Sequence, residues 1–178
     1  MEIGESITFW TVLLSITCYF IGAALWSLAR LHSNVEAIAR AIWTSGCLLC
    51  VGHVLTAFHF YHDWSHKSAF WSTAQQTEEL LGFSWGKGIY LNYAFTLAWF
   101  IDATWWWIKP ESHQKRPQLF NVALHTFLLF IVFNATVVFG EGFIRVIGIS
   151  GTFGLVILWW IVRAGRQRKD KFTARLFL

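Results

Sequence analysis

Apolar residues in this chain run in long blocks, and the polar residues collect between them. Five blocks reach the roughly 20 residues that a helix needs to cross the hydrocarbon of a bilayer. They are Ile7–Ala29, Ala41–Tyr61, Ile89–Ile108, Leu119–Phe139 and Phe143–Val162. In lipid no water satisfies a backbone N–H or C=O, so each block is expected as an α-helix. The acidic leader of residues 1–6 lacks the basic start of a cleaved signal, so the first block is expected as a retained helix. Between the second and third blocks, Phe70, Ala74, Thr77 and Leu81 share one helical face. This predicts a short interfacial helix that stops near Gly82. Gly140–Glu141–Gly142 leaves room only for a tight turn, so the fourth and fifth spans should form an antiparallel hairpin. Gly148, Gly151 and Gly154, with Ser150, give the fifth span a small-residue stripe suited to close helix approach.

Composition agrees with lipid as solvent. The 178 residues are 56% hydrophobic and 13% charged, against about 25% charged in an ordinary soluble domain. Mean hydropathy is +0.48. The absence of a Pro- or Ser-rich linker argues for one domain over 1–178. Cys18, Cys47 and Cys50 all fall inside apolar blocks, which is no disulfide framework.

Charge placement gives the orientation. Apart from Lys67, Lys87 and Arg145, every Lys and Arg falls in the 30–40 loop, the 109–118 loop or the segment after the fifth block. The positive-inside rule then puts the N-terminus outside and the C-terminus inside. Residues 163–178 are expected as a basic cytoplasmic tail against anionic lipid. A nucleic-acid partner is not expected, because no aromatic interleaves with the tail's charges before Phe172. Trp105, Trp106 and Trp107, beside Lys109, and Trp159 and Trp160, beside Arg163, read as an aromatic belt at the inner boundary. The expected fold is an all-α integral membrane protein of five spans, in a bacterial-type plasma (inner) membrane.

The candidate chemistry starts from "HFYHDWSH", residues 59–66. On an unbroken helix His59, His62 and His66 share a face at i, i+3 and i+7, with Asp63 beside them. Neutral imidazole is a common ligand of Zn, Cu and Fe. A transition-metal site of His59, His62 and His66 is therefore expected, with Asp63 or Glu78 supplying an oxygen ligand or a hydrogen bond. Two alternatives stay open: an interfacial helix end, and a pH-sensing histidine group. His53, near mid-depth, is a candidate axial ligand for haem, a less favoured cofactor because no second span offers a histidine at its depth. Cys50, one turn below His53, reads as a packing thiol. Asp102 and His125 lie at similar depth on neighbouring spans and are expected to pair, as a structural tie or a proton site. The functional expectation is a histidine-rich, extracytoplasmic site for a metal or haem. The alternatives are a non-catalytic subunit or assembly factor, with a membrane-complex partner or a second copy, and a small proton-coupled transporter or sensor.

Overall fold

A computed structural model describes residues 3–29 and 35–176, with side chains as far as Gly165. The described residues form helices α1 (Ile3–Ala29), α2 (Glu36–Tyr61), α3 (His66–Leu81), α4 (Gly88–Ile108), α5 (Pro110–Gln114), α6 (Gln118–Phe133) and α7 (Gly142–Leu176). A π-turn over Asn134–Val138 continues α6, and no strand is present among these residues. The chain is a membrane protein by its helices. α1, α2, α6 with its π-turn, and α7 as far as Gly165 are long and apolar enough to cross a bilayer. α4, at 21 residues, is not among them, because Asn92, Asp102 and a run of Tyr and Trp dilute its aliphatic content.

Contacts along the helices fix their directions. Gly4 of α1 lies against Phe60 of α2, and Gly22 lies against Trp43. α1 and α2 are thus antiparallel, and the Ser15 hydroxyl donates to the Gly46 carbonyl between them at 2.9 Å. Cys50 meets Thr96, and Trp43 donates to Asp102, so α4 runs back along α2. Gly148 faces Thr136, and Gly151 faces Phe20; Trp159 donates to Ser27 at 2.8 Å. α1, α4 and α7 therefore run one way, and α2 and α6 the other. One end of the bundle gathers Gly4, Phe60 to His66, Tyr90 and Gly140, and is called here the histidine end. The other gathers Ser27, Trp43, Trp106 and Trp159, and is called the tryptophan end.

The core is aromatic. Tyr19, Trp43, Trp99 and Leu128 are fully buried, and Trp43 packs its ring 5.1 Å from Trp99 and 5.5 Å from Tyr19. Outside, large apolar side chains such as Leu48, Leu97, Phe100, Phe130 and Phe153 stand exposed, a wall of the kind lipid covers. The glycine stripe of α7 works within the chain. A Cβ on Gly148 would sit 2.1 Å from Thr136 Oγ1, and one on Gly151 would sit 2.6 Å from the Phe20 ring, whereas Gly154 faces open space.

The α6–α7 hairpin turns where the glycines predict. Gly140 has no room for a Cβ against the Thr136 carbonyl, and Gly142 takes φ +51°. Arg145 donates to the Gly140 carbonyl at 2.9 Å, which braces the turn. α7 then continues unbroken to Leu176, so the segment expected as a tail is helical as far as that residue. The tail side chains from Arg166 onward, and Arg30 in the first loop, lie outside the described residues.

Two expectations about faces hold in part. α3 buries Ala69, Ala74 and Thr77 while Leu81 stays exposed. Its inward face is therefore set by small residues that let it lie close on the bundle. It ends at Gly82, which takes φ +78° and donates its N–H to the Glu78 carbonyl. The tryptophan cluster is not wholly a belt. Trp106 is 2% exposed, stacked on His113 at 4.9 Å with 6° between planes, while Trp107 and Trp160 face outward.

Candidate functional site

α2 does not run through the histidine segment. It ends at Tyr61, and His62 is its C-cap. Asp63 and Trp64 then take φ of +46° and +58°. Left-handed backbone in two successive non-glycine residues is costly, and it turns the chain sharply before α3 begins at His66. This corrects the shared-face expectation: His66 and Asp63 are not on the helix that carries His59. His59 is exposed, with its ring beside Phe60 and Trp64. His66 instead bonds α4, with Nδ1 3.0 Å from the Tyr93 hydroxyl and Nε2 3.3 Å from that of Tyr90. Glu78 is exposed on α3. Among the described residues no three His, Cys, Asp or Glu side chains gather closely enough to share a metal ion.

What lies beneath this segment is a cavity of about 300 Å³. It is enclosed by α1, α2, α3, α4 and α6, and Ala135 of the π-turn contributes to its wall. Its rim carries His62, Gln76 and Asn92; Gln76 and Asn92 are exposed, which places the mouth at the histidine end. Its apolar wall combines aliphatic side chains, such as Val12, Ile16, Ile89 and Ile131, with the aromatic rings of Phe58, Phe95 and Trp99. Among the described residues no Asp, Glu, Lys or Arg lines it.

His53 stands in this wall. Its Nδ1 is 3.1 Å from the Thr8 carbonyl of α1. A carbonyl can only accept, so Nδ1 carries the proton, and in the neutral ring Nε2 is a free acceptor. Three hydroxyls of the wall have committed their protons. Ser15 donates to the Gly46 carbonyl, Thr73 to the Ala69 carbonyl at 2.9 Å, and Thr96 to the Asn92 carbonyl at 3.0 Å. Cys50 Sγ lies 3.8 Å from Thr96 Oγ1; with the Thr96 proton already engaged, the thiol is the donor. These groups turn lone pairs to the cavity, while the unpaired donors of the wall, the Tyr19 hydroxyl and Trp99 Nε1–H, are sealed from solvent.

Asp102 and His125 do not pair with each other. Asp102, 3% exposed, accepts from Trp43 Nε1 at 2.9 Å and His113 Nε2 at 3.1 Å, and it holds the Arg116 guanidinium. Arg116 also donates to Asn121 Oδ1. The expected partner is displaced because α5 folds back under α4 and brings His113 and Arg116 closer. His125 is instead walled by Trp26, Trp43 and Trp159, with ring centroids 4.2, 5.7 and 6.0 Å away. Glu36, accepting from Trp106 and Gln114, extends the polar tie at this end. Both Asp102 oxygens are occupied by donors on α2, α5 and the loop before α6, so the group acts as a knot between elements.

Sequence reasoning passes over His113 and counts Arg116 only as loop charge. The available signal was Lys109–Pro110: a proline at the first turn of a helix predicts that the loop folds as a short helix. The cavity had a weaker signal, the small residues Ala69, Ser72 and Thr73 falling on one face of α3 with Gln76. In comparisons with known proteins, no family model, curated protein or solved structure matches this chain.

Proposed function

We propose that the protein is a five-span membrane protein, N-terminus out and C-terminus in, that binds a small organic molecule in the cavity beneath His62. A parity argument supports the fifth span. If α1, α2, α6 and α7 cross the membrane in the directions their contacts give, the chain is at the histidine end after α2 and at the tryptophan end before α6. α4 alone makes that passage. Its 21 residues extend about 31 Å at 1.5 Å per residue, close to the hydrocarbon thickness of about 30 Å. The orientation rests on the excess of Lys and Arg at the tryptophan end. With it, the cavity opens on the outer side.

The observation that carries the binding reading is the cavity itself. Its volume of about 300 Å³ falls at the lower end of the range of ligand pockets. It combines aromatic walls with a few convergent polar groups, the composition expected of such sites. The break in α2 that removes His66 from the metal set is also what swings α3 over the cavity. The geometry thus favours an organic ligand over a metal ion.

The test is to purify the wild-type protein and Ala57→Trp from native membranes and compare their organic extracts by mass spectrometry. Ala57 lines the cavity, and an indole there fills it. A small molecule near one per chain in the wild type and depleted in Ala57→Trp is expected. Identical extracts from two equally folded proteins contradict the reading.

A further inference from the structure

The chemistry of the wall goes further than the presence of a pocket. We propose that the cavity selects a neutral molecule of one or two rings bearing a hydroxyl donor, a phenol-class ligand, whose O–H is accepted by His53 Nε2. The inference rests on the cavity being a binding site.

Three observations carry it. The first is the proton count around the deep wall. The Thr8 carbonyl fixes the proton of His53 on Nδ1. Nε2 has no hydrogen-bond partner among the described residues, yet it is not sealed from solvent as the orphaned indole N–H of Trp99 and hydroxyl of Tyr19 are. A ligand that displaces water from this open acceptor has to supply a donor in its place, since leaving it covered and unpaired is costly. Ser15, Thr73 and Thr96 spend their hydrogens on backbone carbonyls and so compete for no acceptor on the ligand. The side-chain amides, Gln76 and Asn92, are at the exposed rim. Of the deeper donors, the Tyr19 hydroxyl and the Trp99 indole N–H are unpaired but sealed from solvent, which leaves His53 Nε2 as the accessible imidazole acceptor.

The second observation is charge. Among the described residues no carboxylate, lysine or arginine side chain lines the cavity. A charged ligand there would be desolvated without a counter-charge, which is far more costly than burying a hydroxyl that finds an acceptor. This excludes carboxylate and phosphate ligands, and it disfavours ammonium ligands despite the aromatic faces. The third is shape. Phe58, Phe95 and Trp99 present flat apolar faces, on which an aromatic ring packs offset or edge-on, and about 300 Å³ suits one or two rings.

The probe series is 2-naphthol, 2-methoxynaphthalene, 2-naphthoate and 2-naphthylmethylammonium. The readout is protection of Cys50, which lines the same cavity, from a thiol reagent in Cys18→Ala/Cys47→Ala protein. Naphthol is expected to protect at the lowest concentration, with the methoxy compound about tenfold weaker for loss of one buried hydrogen bond. The anion and the cation should be weaker still. His53→Phe should erase the difference between naphthol and its methyl ether. His53→Gln, whose amide can donate to Thr8 and still present an oxygen, should retain it.

Equal protection by naphthol and its ether in the wild type overturns the assignment to His53 while leaving the pocket in place. Tighter protection by the ammonium or carboxylate compound overturns neutrality. No protection by any probe overturns the ligand class; the pocket itself is then judged separately, by whether Ala57→Trp shields Cys50. If His53→Phe fails to fold, the wild-type series and His53→Gln still decide.

Discussion

Replacing Asp102 with leucine should be among the most damaging single changes in the chain. Asp102 is 3% exposed, and its two oxygens satisfy Trp43 Nε1, His113 Nε2 and the Arg116 guanidinium. Leucine matches it roughly in size but accepts nothing. Arg116, with 1% of its side chain exposed, is then a buried cation without a counter-charge. Removing one partner of a buried ion pair costs about 3–5 kcal/mol, and the orphaned indole N–H adds about 1–3 kcal/mol. Replacing both charges, Asp102→Leu with Arg116→Met, removes the unpaired cation and should recover most of the loss, since apolar replacement of a whole buried pair is often close to neutral. The assay is reversible unfolding in mixed micelles titrated with denaturing detergent, for the wild type, both single variants and the double variant. The account predicts a coupling energy of at least about 2 kcal/mol in the cycle. Single variants within about 1 kcal/mol of wild type, or a double variant as unstable as the sum of the two, would refute the buried knot.

Other consequences are simpler. Gly148→Val drives a side chain into Thr136 and should cost about 1–3 kcal/mol or more by overpacking. Gly154→Ala, facing open space, should leave the same detergent titration unchanged, and equal effects at the two sites would contradict the helix packing described. His66→Phe removes the bonds to Tyr90 and Tyr93, worth about 0.5–1.5 kcal/mol each. Amides of α3 should exchange hydrogen faster in a mass-resolved experiment while those of α1 hold, and unchanged α3 exchange would argue against the latch. Trp107→Phe deletes the 2.8 Å bond to Thr44 Oγ1 and leaves only a smaller ring under Arg40 at an exposed site, so a change below about 1.5 kcal/mol is expected, and a larger loss would mean that Trp107 is not at the surface.

The long helices were legible because lipid imposes a simple rule: apolar residues in sufficient number, with every backbone group bonded within the helix. The α6–α7 turn was legible because glycines at 140 and 142 left few alternatives. The break after Tyr61 was not. Nothing in "HFYHDWSH" is a strong helix breaker, and the left-handed pair Asp63–Trp64 is closed by backbone bonds from Trp64 N–H to the Phe58 carbonyl and from Ser65 N–H to the His62 carbonyl, with His66 beyond it bonded to two tyrosines of α4. The partner of Asp102 was misread for a related reason. Depth along two spans identified His125 as a candidate, but depth alone does not see a five-residue helix, Pro110–Gln114, folding back beneath the bundle. The cavity belongs to the same class: it exists only after α3 has swung over α1, α2 and α4. His53 was singled out for its depth, and its role as an acceptor emerged only from the Thr8 carbonyl opposite its other nitrogen.

The central claim is a cavity open to the outer face of an N-out bundle, and Cys50 reports on it directly. In sealed vesicles of known sidedness, with Cys18 and Cys47 replaced by alanine, a membrane-impermeant thiol reagent is applied to one face at a time. The account predicts that Cys50 reacts from the face bearing Lys67 and Lys87, does not react from the face bearing the α7 tail, and is shielded by Ala57→Trp. Reaction from the tail face alone, or reaction indifferent to Ala57→Trp, would contradict it.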